Sequence, residues 1–459
     1  MMRKLPQNQP AREKTASLSS SRETKFFPWE GQLSSWLFFS IILFLPTQLG
    51  KHFWPDYSVV YGIRVDYLSP TLFFSDILVL LLFASVIINK LSLKKISNVK
   101  SQISNLKSHW KLIVLFSLLV IGVFLSKSPA AGLYGFLKLL EFTFFGVFTA
   151  WFLRKPKAYP TVLLLFALGI IAESVLAVMQ FVNQGSIGGI LYWLGERSFT
   201  SQTPGIANAS VSGKLLLRPY ATFPHPNVLA GYLVLGMTLI ISNFKFQISN
   251  FRKTLYGSAL ALGIIALLLS MSRIAIVVFV ICASVVLYKK LPRAYAIIGT
   301  IFCLIGFTLL FLLLPHRFFP LVFADQTISV RKELFDAGVR MVGAHPLFGV
   351  GLNNFLLSLP AYMPQKNSVI FLQPAHNIFL LWIAQTGFVG ASLMTGFFIA
   401  LYKRLLRRFM WTQGLVIFTL VVFGSVDHYF LTLQQGQLLL SFFLGLVLGR
   451  KNSKKATRV

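Results

Sequence analysis

Apolar runs recur along the whole chain, separated by short polar breaks. Each is close to the ~20 residues that a helix needs to cross hydrocarbon. Read with that window, the pattern predicts about 12 spans, near 32–49, 71–90, 112–126, 133–153, 160–183, 226–243, 254–270, 274–288, 294–314, 376–401, 410–425 and 434–449. Two breaks are long, 184–225 and 315–375. In the second, Val330 to Val342 is amphipathic and predicts a short surface helix, while Pro346, Gly349 and Gly351 mark turns. The chain reads as an all-α polytopic membrane protein with one large loop carrying short helices. A polar tail (1–31) and a basic tail (450–459) flank the membrane domain (32–449).

Composition agrees. Charged residues make up 12% of 459, and mean hydropathy is +0.71. The net charge of +30 would suit a nucleic-acid binder, but its distribution argues otherwise. Of 43 Lys and Arg, 30 fall in 1–31, the short even-numbered breaks and the last ten residues. Only 12 fall in the alternate breaks, which are longer in total. That bias predicts cytoplasmic termini, with the long loops outside. The first span reads as a retained signal anchor. Cys282 and Cys303 lie within apolar runs and predict buried thiols. The loop 96–107 shares an Ile-Ser-Asn pattern with 248–252, which reads as low-complexity sequence.

This topology puts Arg218, His225, Arg273, Arg331, Arg340, His345, His376, Asp427 and His428 at one membrane face. Ionisable groups are costly in hydrocarbon, so their gathering suggests a site. The set is cationic and suits a pyrophosphate, since arginine grips phosphate oxygens and never loses its charge. Arg273 sits in a near-loopless hairpin, Ser270-Met271-Ser272-Arg273; the plainer reading is an interfacial arginine. His225-Pro226-Asn227 resembles a helix start, with Asn227 able to cap. His376 could accept a proton from a sugar hydroxyl; His376-Asn377 could equally be a capping pair. Arg331 and Arg340 could each simply pair with Glu333 or Asp336. Asp427-His428 either orients a base or supports a helix end. No Walker loop, dinucleotide turn or zinc spacing is present, and the face lacks an acidic pair for a divalent cation.

These stretches together resemble the O-antigen ligase and polymerase superfamily of bacterial membrane glycosyltransferases. The likeness rests on Arg218–Gly231, Ser270–Arg273, Arg331–Phe355 with its His345-Pro346-Leu347-Phe348-Gly349-Val350-Gly351 core, and His376-Asn377 followed by Gly387 and Gly390. Asp427-His428-Tyr429 with Gln434-Gln435-Gly436 adds to it, so it covers roughly 210–440. The resemblance implies a GT-C-like fold and metal-independent, inverting transfer of a glycan from undecaprenyl diphosphate. The acceptor would be lipid A-core or another surface hydroxyl, at the outer face of the inner membrane. It implies His376 as general base, Arg218 and Arg273 on the diphosphate, and Arg331 as a third arginine. Arg340, His345, Asn377, His428, Asp427 and His225 would line the substrate, and no cofactor or nucleic acid is expected.

Two other classes compete. A polymerase or protein O-oligosaccharyltransferase of the same superfamily would use the same motifs. A bicarbonate-type transporter should carry midplane charges and inverted repeats. Here Lys138, Glu141 and Glu173 are the main in-span charges, Lys138 and Glu141 could simply pair, and neither half repeats the other. A scaffold without catalysis would leave the one-sided Arg and His cluster unexplained.

Overall fold

A computed structural model describes residues 31–92, 110–155, 158–211, 214–244, 249–295, 297–301, 305, 326–363, 372–408 and 410–449. Both tails except Gly31, the 96–107 loop and most of the predicted span 294–314 lie outside them. The chain is built from helices: α1 (Gln32–Leu43), α2 (Phe74–Ser92), α3 (Trp110–Phe124), α4 (Pro129–Phe152), α5 (Ala158–Asn183), α6 (Pro226–Asn243) and α7 (Asn250–Leu269). After them come α8 (Arg273–Lys290), α9 (Gln326–Ala344), α10 (Phe355–Tyr362), α11 (Ile378–Arg408), α12 (Trp411–Val426) and α13 (Gln434–Gly449). Apart from 294–314, each predicted span coincides with one of these. Among the described residues five helices, α4, α5, α6, α7 and α11, have both the length and the hydropathy to cross a membrane. This is an all-α membrane protein, and the twelve expected spans exceed the five that meet both criteria.

The expected amphipathic helix is α9, with Leu334, Ala337 and Met341 buried and Arg331 and Arg340 exposed. Three small antiparallel hairpins break the all-helical pattern: Gly50–His52 with Thr71–Phe73, Val59–Val60 with Ile63–Arg64, and Asn208–Val211 with Lys214–Leu217. Strands of two to four residues are too short for hydrophobic alternation to announce them.

Aromatic rings fill the core. Phe38 of α1 packs 4.5 Å from Phe152 of α4, and Phe166 of α5 lies 5.3 Å from Phe442 of α13. α13 lies directly on α4, with Gly445 facing the Gly146 carbonyl and Gly449 the Ala150 carbonyl. Small residues let two helix backbones meet where lipid offers no hydrophobic drive. A buried polar group joins three helices at one end of this pair. Lys138 Nζ donates to Asp76 (2.5 Å), Gln434 Oε1 (3.2 Å) and Glu141 (3.4 Å). The expected Lys138–Glu141 pair therefore exists, with Asp76 as its closer third member.

α11 is not one straight span. Gly387 has φ +59°, and the helix kinks there. The carbonyls and amides freed by the kink are met by the 346–351 turn. Val350 N donates to Ala384 O (2.9 Å), Gly351 N to Gln385 O (3.0 Å) and Phe388 N to Pro346 O (2.8 Å). Interrupted backbone at membrane depth survives only with such partners.

Candidate functional site

A cavity of about 1200 Å³ opens where the breaks 50–70, 184–225, 315–375 and 426–433 meet. Its polar end holds Arg218, His225, Asn227, Arg331, His376, Asp427 and His428. From there it runs between helices, along Leu139, Phe142 and Val147 of α4 and Leu440, Leu444 and Leu448 of α13, with Phe397 of α11. On α13 these residues are spaced about one helical turn apart, so they form one continuous apolar floor.

The polar end is a connected chain of groups. Arg218 follows the third hairpin, and its backbone N donates to Ala207 O (3.1 Å). Its Nε donates to Ser270 O (2.8 Å) and its Nη2 to Asn227 Oδ1 (2.8 Å). Asn227 Nδ2 donates to Asp427 Oδ2 (2.9 Å), and Asp427 Oδ1 accepts from His428 N (2.7 Å). His428 Nδ1 bonds Thr432 Oγ1 (2.6 Å), which leaves Nε2 toward its neighbours. The His376 ring stands 4.9 Å from that of His428. Its Nδ1 is sealed from solvent without a side-chain partner among the described residues, and the Pro374 backbone acts on the ring as an acceptor.

The electrostatics follow. Burial, then His428 and Arg331, lower the His376 pKa to about 4, so the ring is neutral and holds a lone pair at neutral pH. Burial also lowers His428, with Asp427 opposing. Burial and Arg218 hold His225 well below its usual value. Burial alone would raise Asp427, but His428, His225, His376 and the Asn227 amide outweigh it and keep the carboxylate ionised.

The candidates divide. Arg218, Arg331, His376, Asp427, His428 and His225 line the cavity. His225 is also the N-cap of α6, its Nδ1 accepting from Asn227 N (3.1 Å). The capping group is thus the imidazole, and Asn227, expected to cap, bridges Arg218 to Asp427 instead. Asn377 caps α11, its Oδ1 accepting from Phe379 N and Leu380 N (3.0 Å each), and it does not line the cavity. Arg340 donates to Tyr362 O (2.9 and 2.6 Å) and His345 Nε2 bonds the Tyr362 hydroxyl (3.0 Å). Those two side chains, expected on the substrate, pin α10 to α9. Arg273 opens α8, three residues after the carbonyl that holds Arg218, and is not part of the lining.

Sequence reasoning missed what holds the loop. Glu173 and Gln180, two turns apart on α5, grip three consecutive residues. Thr222 N and Oγ1 donate to Glu173 (3.0 Å), and Tyr220 N and Ala221 N donate to Gln180 Oε1 (3.0 and 2.8 Å). Ala221 sits at φ +49°, so these bonds fix a turn the backbone resists. The in-span carboxylate of Glu173 was the available signal, but its partner is a loop far along the sequence.

His376, Asp427 and His428 also bring ligand-capable atoms within 4.8 Å of one another. Two imidazoles and a carboxylate can suit a transition ion. The surroundings weigh against a dication: Arg331 acts on both imidazoles and Asp427 is the cluster's single carboxylate.

Fold and cavity together define an integral membrane protein whose helices enclose an amphipathic chamber with a cationic end. Residues 258–395 match the family model described as O-antigen ligase (Wzy_C), the superfamily that the motifs resemble. No curated protein matches the chain.

Proposed function

We propose that the protein is an O-antigen ligase-like glycosyltransferase. It moves a glycan from an undecaprenyl-diphosphate carrier to an acceptor hydroxyl of lipid A-core or another surface molecule. In this reading the long loops face the periplasm or exterior, both termini are cytoplasmic and the membrane is the bacterial inner one. The supporting observation is the cavity: an arginine- and histidine-lined end continuous with an apolar groove along α4 and α13. A diphosphate with a polyisoprenoid tail has that same division.

The acceptor oxygen attacks the anomeric carbon and its proton passes to the neutral His376. The bond from that carbon to the diphosphate oxygen breaks from the opposite side, and configuration inverts. Charge grows on the departing diphosphate, and Arg218 and Arg331 stand where they can meet it. A fixed donor of this kind contributes on the order of 3 kcal/mol to the barrier. Asp427, His428 and Asn227 orient the base and Arg218. The turn before Arg273 supplies the Ser270 carbonyl that holds Arg218. A pKa near 4 makes a weak base in the free protein. The bound diphosphate is anionic and raises it toward the working range. No step needs a metal.

The test is transfer in vitro, with glycan-charged carrier extracted from host membranes and host membrane extract as acceptor. Wild type transfers without added metal, and His376→Ala and Arg218→Ala do not. Product size separates ligation from polymerisation. A wild type that never discharges the carrier would sink the reading and bring the transporter forward.

A further inference from the structure

The transfer step uses one wall of the cavity and leaves the facing wall without a task. That wall comes from the segment between α1 and α2, with Asp66 and Tyr67, and from Arg197 and Asn208 in the 184–225 break. We propose that Asp66, Tyr67 and Arg197 form a sugar subsite. It holds a neutral pyranose next to the carrier's diphosphate and selects which glycan is transferred. The proposal rests on the transferase reading above.

Position is the first argument. The Tyr67 ring meets that of His428 edge-on at 5.4 Å, and His428 in turn neighbours His376. The facing wall therefore begins one ring away from the proposed base. A sugar whose anomeric carbon lies at His376, with its diphosphate toward Arg218, has its hydroxyls within reach of this wall.

The chemistry is the second. Burial, then the charges of Asp427 and Asp66, push the Tyr67 phenol up to about 12, so its hydroxyl stays protonated and can both donate and accept. Asp66 and Arg197 are exposed to the cavity, and among the described residues neither side chain forms an ion pair or hydrogen bond. Asn208 Oδ1 is sealed from solvent without a partner, while its Nδ2 donates to Ser201 O (2.7 Å). A buried acceptor without an internal partner is costly unless something else satisfies it, and Asn208 Oδ1 is such a group, while Asp66 and Arg197 stand open to the cavity with their hydrogen-bonding capacity unspent. A carboxylate, a guanidinium and an aromatic ring with a hydroxyl match a polyhydroxylated ring: two fork-like partners for adjacent hydroxyls and a face for its C–H bonds. The opposite charges of Asp66 and Arg197 disfavour a strongly acidic sugar.

The wall is also preorganised. Val65 N donates to Ser58 O (2.9 Å) and Ser69 N to Asp66 O (3.2 Å). His52 Nδ1 bonds Ser69 Oγ (2.5 Å) and Thr71 Oγ1 (2.9 Å). Val60, Val65, Leu68 and Tyr67 pack against α9, which carries Arg331. Rigid placement lowers the ordering cost of binding.

The experiment measures affinity of the purified full chain in nanodiscs for two probes: undecaprenyl diphosphate without sugar, and the glycan-charged carrier extracted from host membranes. Wild type should favour the charged carrier by about tenfold or more, the effect of one or two added hydrogen bonds. Asp66→Asn, Arg197→Gln and Tyr67→Leu should each bring that ratio toward one and leave affinity for the bare carrier unchanged, and the two exposed substitutions, Asp66→Asn and Arg197→Gln, should also leave the melting temperature unchanged. The proposal is overturned if wild type shows no preference, if the variants keep it, or if Asp66→Asn and Arg197→Gln weaken both probes equally. If wild type binds neither carrier, the transferase reading falls and the subsite with it. Failure of the subsite alone leaves the bare carrier bound.

Discussion

His376 is half-buried in the cavity wall, and among the described residues its Nδ1 forms no side-chain hydrogen bond. Its replacement should therefore cost activity and spare stability. We expect His376→Ala to lower the transfer rate by roughly 10²–10⁴-fold, the usual contribution of a general base. The melting temperature in detergent should shift little, and a large drop would mark the ring as structural. The pH profile follows from sign. His376 is held low by burial, His428 and Arg331, so the free protein stays base-competent until the pH falls through about 4. Arg331→Gln removes one depressing charge, raises that pKa, and should move the acid limb of kcat/KM to higher pH. An unmoved limb would exclude His376 as the group that titrates. The His376, Asp427 and His428 cluster gives a further expectation. Dialysis against EDTA should leave transfer unchanged, since the nearby arginine outweighs what one carboxylate offers a dication. Loss on dialysis, with recovery on adding zinc or manganese, would reverse that reading.

Among the elements, α5 carries the most instructive pair. Glu173 and Gln180 lie on one face and bind the backbone of 220–222, midway between Arg218 and the His225 cap. Replacing Glu173 with Leu leaves the Thr222 N–H buried and unpartnered, a penalty of about 1–3 kcal/mol. Thermal unfolding should show it, and Glu173→Gln should recover most of the loss. The kink of α11 is sharper still. A Cβ on Gly387 would collide with the Leu347 carbonyl at a φ that side chains avoid. Gly387→Ala should thus fold poorly or not at all, as detergent gel filtration would reveal. Sequence reading placed nearly every helix because a 20-residue apolar run has few alternatives in lipid. It missed the kink because its partner lies far along the chain, 346–351 meeting 384–388, and it missed the hairpins because strands of two to four residues carry too little alternation to announce themselves.

Across the whole molecule the decisive feature is the continuity of a cationic chamber with an apolar groove. If the groove holds a polyisoprenoid tail, filling it should matter only for long tails. Leu440→Trp, placed on the groove floor, should raise KM for the undecaprenyl carrier several-fold and leave KM for a farnesyl analogue unchanged. Equal effects on both would put the tail elsewhere. The sequence by itself determined the class: hydropathy demanded a helical membrane protein, the Lys and Arg bias predicted its sides, and short motifs pointed to the O-antigen ligase superfamily. It also marked Arg218, Arg331, His376 and Asp427-His428, because charge at a membrane face is costly enough to stand out. Only the tertiary structure decided which charged residues share a cavity. Arg340, His345 and Asn377 turned out to hold helices, and Asn227, Glu173 and Gln180 to hold the site. The physical reason is that an arginine or a carboxylate looks the same in sequence whether its partner is a ligand or a backbone carbonyl. The partner is chosen by packing between helices, where no local periodicity records it.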